Sequence, residues 1–132
     1  MLPAATRSKL EAAARGAAGR AYAPYSRFPV GAAVLAADGS IYTGCNVENA
    51  SYGLTVCAER IAIFNAVAQG ARAIAAIAVY TPTPGPTMPC GACRQVLREF
   101  GGEALVICCS DARSVESALP ELLPNAFGPE SL

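Results

Sequence analysis

Two short stretches, Cys57-Ala58-Glu59-Arg60 and Pro89-Cys90-Gly91-Ala92-Cys93, decide how the fold of this chain is interpreted. Each lies at the start of an apolar stretch of helical length, so each is predicted to open a helix. The free N–H groups and partial positive charge of a helix amino terminus favour thiolate over thiol. If the two helices lie side by side, three sulfur atoms converge on one metal ion and Glu59 faces it.

The absence of histidine from all 132 residues restricts the kind of metal site that these motifs can form. Zinc would be held by the thiolates of Cys57, Cys90 and Cys93, and three ligands leave one tetrahedral position open, as catalytic zinc requires. Such an ion lowers the pKa of a bound water to about 7. Glu59 is the expected general acid and base. The spacing also matches the signature of zinc deaminases, a ligand two residues before a glutamate and a later Pro-Cys-x-x-Cys.

Other interpretations of these residues stay open. The Cys-x-x-Cys pair alone suits a thioredoxin-like redox site or half of a structural zinc site. A fourth thiolate would indicate a zinc-stabilised interaction module without catalysis, and Cys45 is the only other cysteine near the predicted ligand loop. Arg60 is either a solvated helix residue or a donor that offsets the charge of three thiolates. Gln95 is a weaker candidate for a hydrogen bond to the ligand loop.

Length and composition limit the possible functions. With 132 residues, residues 1–132 are expected to form a single domain. Ten basic residues balance ten acidic ones and form no run, which argues against nucleic-acid partners and polynucleotide editing. Hydrophobic residues make up 53% of the chain, many of them alanine, which favours close helix packing and burial between subunits.

The same composition indicates the cellular compartment. No apolar segment is long enough for a signal or a membrane span, so no membrane partner is expected. Residues 6–22 are rich in alanine and arginine, but Glu11 interrupts them and serine is sparse, so a surface helix is favoured over a transit peptide. Six cysteines without a signal peptide favour metal binding in a reducing cytoplasm over disulfides.

The remaining sequence predicts alternating helices and strands. Apolar residues at helical spacing predict a first helix that ends at Ala23-Pro24. Asp38-Gly39 predicts a hairpin turn between two strands. The expected elements after the first helix are strands 28–36 and 40–45, an irregular loop 46–56, helix 57–69, strand 73–81, a proline-rich crossing 81–86, helix 90–100, strand 104–110, an antiparallel strand 114–119 and a helical turn 121–123. Together they form an α/β fold in which helices cover a mixed sheet.

Five motifs in order resemble the small, homotetrameric type of cytidine deaminase. They are AYAPYSRF (21–28), GCNVENASY (44–52), CAER (57–60), TPGP with PCGACRQ (83–86 and 89–95) and ELLPNAF (121–127). The resemblance implies a three-layer α/β/α fold with a mixed five-stranded sheet and one zinc ion per subunit. It also implies a cytoplasmic homotetramer that deaminates cytidine and 2′-deoxycytidine hydrolytically to uridine and 2′-deoxyuridine, with release of ammonia, in pyrimidine salvage.

The resemblance assigns roles to further residues. Phe28 would stack near the pyrimidine, Asn46 and Glu48 would bind the ribose 3′-hydroxyl, and the backbone of Ala58 would help to position the exocyclic amine. The residues expected to reach the active site of neighbouring subunits are Ala50, Tyr52 and Phe127. An amide and a carboxylate suit a sugar diol, whereas Glu48 would repel a phosphate, so a free nucleoside is expected. A deaminase of a nucleoside-like antibiotic is the second enzyme hypothesis, which residues 46–49 disfavour.

Overall fold

A five-stranded mixed sheet forms the centre of the protein, for which a computed structural model describes residues 2–132. The strands lie in the spatial order β2-β1-β3-β4-β5. Strands β3 and β4 are parallel, and every other neighbouring pair is antiparallel. The strands are β1 (Gly31–Ala36), β2 (Ile41–Cys45), β3 (Ile74–Tyr80), β4 (Leu105–Cys109) and β5 (Ser114–Ala118). The predicted mixed sheet and its antiparallel last strand are therefore confirmed.

Helices cover both faces of this sheet and complete three layers. Helix α1 (Ala4–Ala18) packs against β1, β2 and β3, and helix α2 (Ala58–Ala68) packs against β1 and β2 on the other side, next to helix α3 (Gly91–Phe100). The short helix α4 (Leu119–Leu122) follows β5 directly. Among residues 2–132, no helix combines the length and the apolar character needed to cross a membrane. The predicted α/β/α arrangement is confirmed.

The alternation of side chains along the strands separates two apolar clusters. We call the side covered by α1 the α1 face and the opposite side the α2/α3 face. In β1, Ala33 and Leu35 belong to the cluster on the α1 face, whereas Ala32 and Val34 belong to the cluster on the α2/α3 face. Strands β3 and β4 divide in the same way, so the central strands are buried on both sides.

Two glycines let helices approach the sheet more closely than any side chain would permit. A Cβ atom on Gly44 of β2 would lie 2.3 Å from the backbone nitrogen of Ala62 in α2. A Cβ atom on Gly31 of β1 would lie 1.9 Å from the carbonyl oxygen of Ala14 in α1. Since real Cβ atoms do not approach backbone atoms this closely, both positions require glycine. The abundance of alanine follows from the same tight packing.

Two predicted element boundaries are wrong by three residues or more. Helix α1 ends at Ala18 instead of continuing to Ala23-Pro24, and the N–H of Gly19 bonds back to the carbonyl of Gly16. Tyr22 pairs instead with the chain around Val47 as an isolated bridge. Strand β1 begins at Gly31 rather than at residue 28, because residues 25–30 are held as a loop by side chains from beyond β2.

Candidate active site

The amino termini of α2 and α3 bring three cysteines together. Cys57 is the residue immediately before α2, and Cys90 holds the same place before α3. Cys93 lies in the first turn of α3 and is buried. The three sulfur atoms all lie within 4.8 Å of one another, and those of Cys90 and Cys93 are 3.4 Å apart. The two motifs, which begin at Cys57 and Pro89 in the sequence, thus form one cluster.

The chemistry of this cluster fits zinc. Zinc is commonly bound by cysteine thiolates, and a site without histidine can hold it. Within residues 2–132 the cluster holds Cys57, Cys90 and Cys93 and no fourth metal-ligating side chain. Cys45, the candidate fourth thiolate, is placed on β2 outside the cluster. One coordination position is therefore left for a water or substrate atom, as in a catalytic site.

Arg60 lies in the first turn of α2 against the cysteine cluster. Its Nη2 donates to the Sγ of Cys57 at 3.3 Å, while its Nε is buried without a hydrogen-bond partner in the described chain. The hydrogen bond from Cys93, together with Arg60, lowers the pKa of Cys57 to about 5. The same contact raises the pKa of Cys93, whose thiol acts as the donor. Arg60 thus occupies the place at which a guanidinium offsets thiolate charge.

Glu59 is a buried carboxylate beside the cluster. It is the second residue of α2 and only 7% exposed. Burial raises its pKa, because the charged form loses hydration. Glu59 lines a cavity of about 260 Å³ together with Cys57 and Cys90. A carboxyl group with a raised pKa that faces such a cavity is suited to accept and return a proton.

The other side of the cavity is a loop that Asn46 holds in place. The side-chain Nδ2 of Asn46 donates to the carbonyl of Phe28 at 2.9 Å, and its Oδ1 accepts from the N–H of Val30 at 2.9 Å. Both contacts are to backbone groups, so they fix the segment that carries Phe28. Phe28, Val30 and Asn46 all line the cavity.

Glu48 holds the preceding part of the same loop. Its Oε1 accepts from the N–H groups of Tyr25 and Ser26 at 3.0 and 3.1 Å, and its Oε2 accepts from the hydroxyl of Ser26. The hydroxyl of Ser26 is the main cause that lowers the pKa of Glu48, so the carboxylate is charged at neutral pH. Arg27, the next residue, has a positive φ of 55°. Glu48 therefore stabilises a turn that carries Phe28 to the cavity.

The three residues expected to serve neighbouring subunits lie on the surface of the chain. Ala50 is exposed, and the relative exposures of Tyr52 and Phe127 are 75% and 61%. Tyr52 and Tyr25 form an aromatic pair with ring centroids 5.9 Å apart, which lines an open apolar depression beside the cavity. None of the three lines the cavity within the described chain.

Gln95 does not hydrogen-bond the ligand loop, contrary to the weaker hypothesis from the sequence. Its Nε2 donates to the carbonyl of Phe127 at 2.9 Å and so holds the carboxyl-terminal segment. The neighbouring Arg94 contacts the ligand loop instead: its Nε donates to the carbonyl of Pro89 at 2.8 Å, and its Nη1 donates to the carbonyl of Leu122 at 2.8 Å. Gln95 lies on the exposed face of α3, so its side chain reaches the carboxyl-terminal segment at Phe127 instead of the ligand loop.

Several residues that line the cavity were not identified from the sequence. Thr81 follows β3, and Thr87 and Met88 belong to the crossing between β3 and α3. One signal could have identified two of these residues. Val79 and Thr81 lie at the carboxyl end of a strand that is parallel to its neighbour, where ligands bind in α/β sheets. The remaining cavity residues outside the prediction are Ser26, Val30 and Thr55.

Comparisons with known proteins agree with this site. A sequence model of the cytidine and deoxycytidylate deaminase zinc-binding region matches residues 5–109. The chain is 49% identical over 126 residues to a cytidine deaminase of Sporosarcina psychrophila, an alignment that covers 94% of this chain and 93% of that protein. It is also 49% identical over 116 residues to a cytidine deaminase of Mycobacterium tuberculosis, covering 88% and 85% of the two chains.

Solved structures give the same result. A crystal structure of cytidine deaminase from Burkholderia pseudomallei superposes with a TM-score of 0.87 at 50% identity, covering 91% of this chain and 98% of that one. The structure of the Mycobacterium tuberculosis enzyme superposes with a TM-score of 0.81 at 46% identity, covering 92% and 97%. The zinc cofactor expected from the motifs is confirmed by the family match and the three-cysteine cluster. The chain belongs to the zinc-binding cytidine and deoxycytidylate deaminase family.

Proposed function

We propose that this protein is a zinc-dependent enzyme that hydrolyses cytidine and 2′-deoxycytidine to uridine and 2′-deoxyuridine, with release of ammonia. The observation that carries the proposal is the buried carboxyl of Glu59 in the same cavity as two sulfurs of a three-cysteine cluster. Relatives that match nearly the whole chain are cytidine deaminases. The reaction adds water at C4 of the pyrimidine and expels the amine at that carbon.

The cysteines and Glu59 divide the work of this reaction. Cys57, Cys90 and Cys93 hold the zinc, which when bound supplies a Lewis acid that makes water acidic near neutral pH. Glu59 transfers the two protons of the attacking water in turn: the first goes to the ring nitrogen, and the second, from the hydroxyl then on C4, goes to the leaving amine. Its raised pKa suits both steps, because burial makes the carboxylate a better proton acceptor than a solvated one while it can still return the proton. Arg60 stabilises the negative charge of the cysteine cluster through its contact with Cys57.

The cavity wall suits a nucleoside. Phe28, Val79 and Met88 give it apolar surface for the pyrimidine ring, and the backbone of Ala58 at the free amino end of α2 faces the same space. Asn46 keeps one amide proton free, since its other proton goes to the carbonyl of Phe28. Glu48 is charged and keeps a free lone pair on Oε2, which accepts from Ser26 alone. A donor and an acceptor together can bind a ribose hydroxyl, whereas the charge of Glu48 disfavours a phosphate.

We further propose that the enzyme is a cytoplasmic homotetramer that acts in pyrimidine salvage. Tyr52 and Phe127 are large, exposed and apolar, and the depression beside Tyr25 has room for an aromatic side chain from another subunit. Ala50 is exposed two residues before Tyr52 and would face the same neighbour. All six cysteines are free, which is consistent with a reducing compartment. Sedimentation should give about four times the mass of one chain.

The activity is tested by following the ultraviolet absorbance of cytidine, 2′-deoxycytidine, cytidine 5′-monophosphate, a cytosine-bearing nucleoside antibiotic and a single-stranded oligonucleotide. We expect the two nucleosides to be deaminated and the other three to be poor substrates. A zinc chelator should abolish turnover, and added zinc should restore it. Zinc binding without turnover of any of the five compounds would contradict the proposal and favour an interaction module.

Glu59→Gln tests the assigned proton transfer. The variant keeps the shape and burial of the side chain but cannot accept a proton, so kcat for cytidine should fall by about 1,000-fold while zinc remains bound. Glu99→Gln is the matched control, because Glu99 is exposed on α3 and makes no hydrogen bond in the described chain; it should retain full activity. Metal analysis and steady-state kinetics give both readouts. A fully active Glu59→Gln enzyme would refute the role.

A further inference from the structure

The crossing between β3 and α3 lacks the hydrogen bonds that usually fix a loop. Residues 82–89 contain four prolines, which have no N–H to donate. In the described part of the chain, no backbone–backbone hydrogen bond involves any residue of this segment. Its shape therefore depends on side chains. The segment matters because Thr87 and Met88 line the cavity and Cys90 follows directly.

The hydroxyl of Thr81 contacts both arms of this crossing. Thr81 is 1% exposed, and its Oγ1 lies 2.8 Å from the Oγ1 of Thr83 and 3.2 Å from the Oγ1 of Thr87. Thr83 is on the outgoing arm and donates to the carbonyl of Gly85 at 2.6 Å. Thr87 is on the returning arm. The hydroxyl of Thr81 donates its one proton to Thr87 and accepts from Thr83, whose own proton is shared between Thr81 and the carbonyl of Gly85.

Thr81 itself is held firmly by the sheet. Its N–H donates to the carbonyl of Cys109 at 3.1 Å, which extends the pairing of β3 with β4 by one residue. Other side chains hold the crossing at single points: the hydroxyl of Ser110 contacts the carbonyl of Pro84 at 3.3 Å, and Arg94 binds the carbonyl of Pro89. Thr81 is the one of these three side chains that joins the outgoing arm to the returning arm.

We propose that Thr81 is a positioning residue for substrate binding: its hydroxyl ties the rigid end of β3 to Thr87 and so fixes the cavity wall that Thr87 and Met88 form. The inference rests on the proposed function, because the wall is assumed to contact the bound nucleoside. We expect the wall to contact the nucleoside as strongly in the ground state as in the transition state. Loss of the Thr81–Thr87 hydrogen bond should therefore weaken substrate binding, and raise KM, more than it lowers kcat.

Thr81→Val is the variant that tests this inference, because valine keeps the shape and removes the hydroxyl. We expect KM for cytidine and Kd for uridine, the latter by calorimetry, each to rise about fivefold, as the loss of one net hydrogen bond implies. The value of kcat should change by less than about twofold. Thr81→Ser retains the hydroxyl and should restore both constants. Thr43→Val is the control, since the Thr43 side chain on β2 makes no hydrogen bond in the described chain, and it should leave both constants unchanged.

NMR relaxation gives a readout that does not depend on turnover. The amides of residues 83, 85, 87 and 88 make no hydrogen bond in the described chain, so their motion, rather than their exchange rate, reports on the crossing. Their backbone order parameters should fall in Thr81→Val relative to wild type and Thr81→Ser. Unchanged KM, Kd and order parameters in Thr81→Val would overturn the inference, as would a lower kcat and Tm at constant KM. If wild type fails to deaminate cytidine, the proposed function fails instead, and the order parameters still decide whether Thr81 fixes the crossing.

Discussion

The polar groups on the two faces of the sheet differ in whether they have hydrogen-bond partners. At the edge of the α1 face, the hydroxyl of Tyr80 donates to Asp111 at 2.6 Å, and Arg15 pairs with Asp111 at 2.8 Å while its guanidinium lies 4.4 Å from the centre of the Tyr80 ring. The hydroxyl, the carboxylate and the guanidinium of this cluster each have a partner in the chain, and Arg15 and Asp111 are also about half exposed to solvent. On the α2/α3 face, the buried Nε of Arg60 has none.

This difference distinguishes a polar cluster that stabilises the fold from a polar cluster that carries the groups for catalysis. A buried polar group without a partner costs free energy, so native proteins retain one where another purpose requires it. On the α2/α3 face the group without a partner lies beside three sulfurs and a buried carboxyl, the residues to which we assign zinc binding and proton transfer. On the α1 face the partners of Tyr80, Arg15 and Asp111 belong to the same cluster. Substitutions on the two faces should therefore separate activity from stability.

Cys93→Ser should have the largest effect of the variants on the α2/α3 face, because it removes a zinc ligand. Serine is a poor zinc ligand, so we expect bound zinc to fall from one per chain to less than about 0.1 and cytidine turnover to fall below detection. Stability should also fall, because the free energy of metal binding is part of the free energy of folding. Zinc analysis and kinetics check the result. Cys45→Ser changes a cysteine outside the cluster and should keep zinc and activity; equal losses in both variants would contradict the assignment.

Leu10→Ala should have the opposite signature on the α1 face. Leu10 is fully buried in α1, and its truncation should cost about 3 kcal/mol of unfolding free energy, from lost burial and the cavity left behind. Since α1 contributes no residue to the active-site cavity, kcat and KM should remain at wild-type values. Urea denaturation with saturating zinc and steady-state kinetics give the two readouts.

Lys9→Ala is the control for this variant, because Lys9 is the exposed neighbour of Leu10 on the same helix. It should change the unfolding free energy by less than about 0.5 kcal/mol. A Leu10→Ala enzyme that loses activity in proportion to its stability, under conditions where it remains folded, would show that the two faces are coupled.

Local sequence patterns predicted most of the fold. The hairpin turn at Asp38-Gly39, the helix starts at Cys57 and Cys90 and the antiparallel last strand depend on residues close together in sequence, and all appear in the structure. The boundaries that were wrong depend on distant residues. Strand β1 starts late because Asn46 binds the backbone on either side of residue 29, a contact that no local pattern contains.

The candidate site shows the same division. The cysteines and Glu59 were identified because their spacing is specific for zinc chemistry. Thr81 was not, because a threonine at the end of a strand is common and its importance depends on the proline-rich crossing folding back onto it. Gln95 was assigned to the ligand loop, since sequence cannot show which neighbour of an exposed helix position will accept its hydrogen bond.

Tyr80→Phe should have the smallest effect and a distinct pH dependence. The hydrogen bond from Tyr80, and after it that from Arg15, lowers the pKa of Asp111. A carboxyl whose pKa is lower in the folded chain contributes stability above its unfolded pKa of about 3.9 and loses that contribution as pH falls through the folded pKa. We therefore expect Tyr80→Phe to lower Tm slightly at pH 7, with KM unchanged, and the difference from wild type to disappear in acid. Thermal unfolding of both chains at pH values from about 7 to about 2 checks this. A Tm difference that persists in acid would mean that Tyr80 acts through packing alone, whereas a changed KM would mean that the α1 face reaches the active site through Thr81, the next residue of the chain.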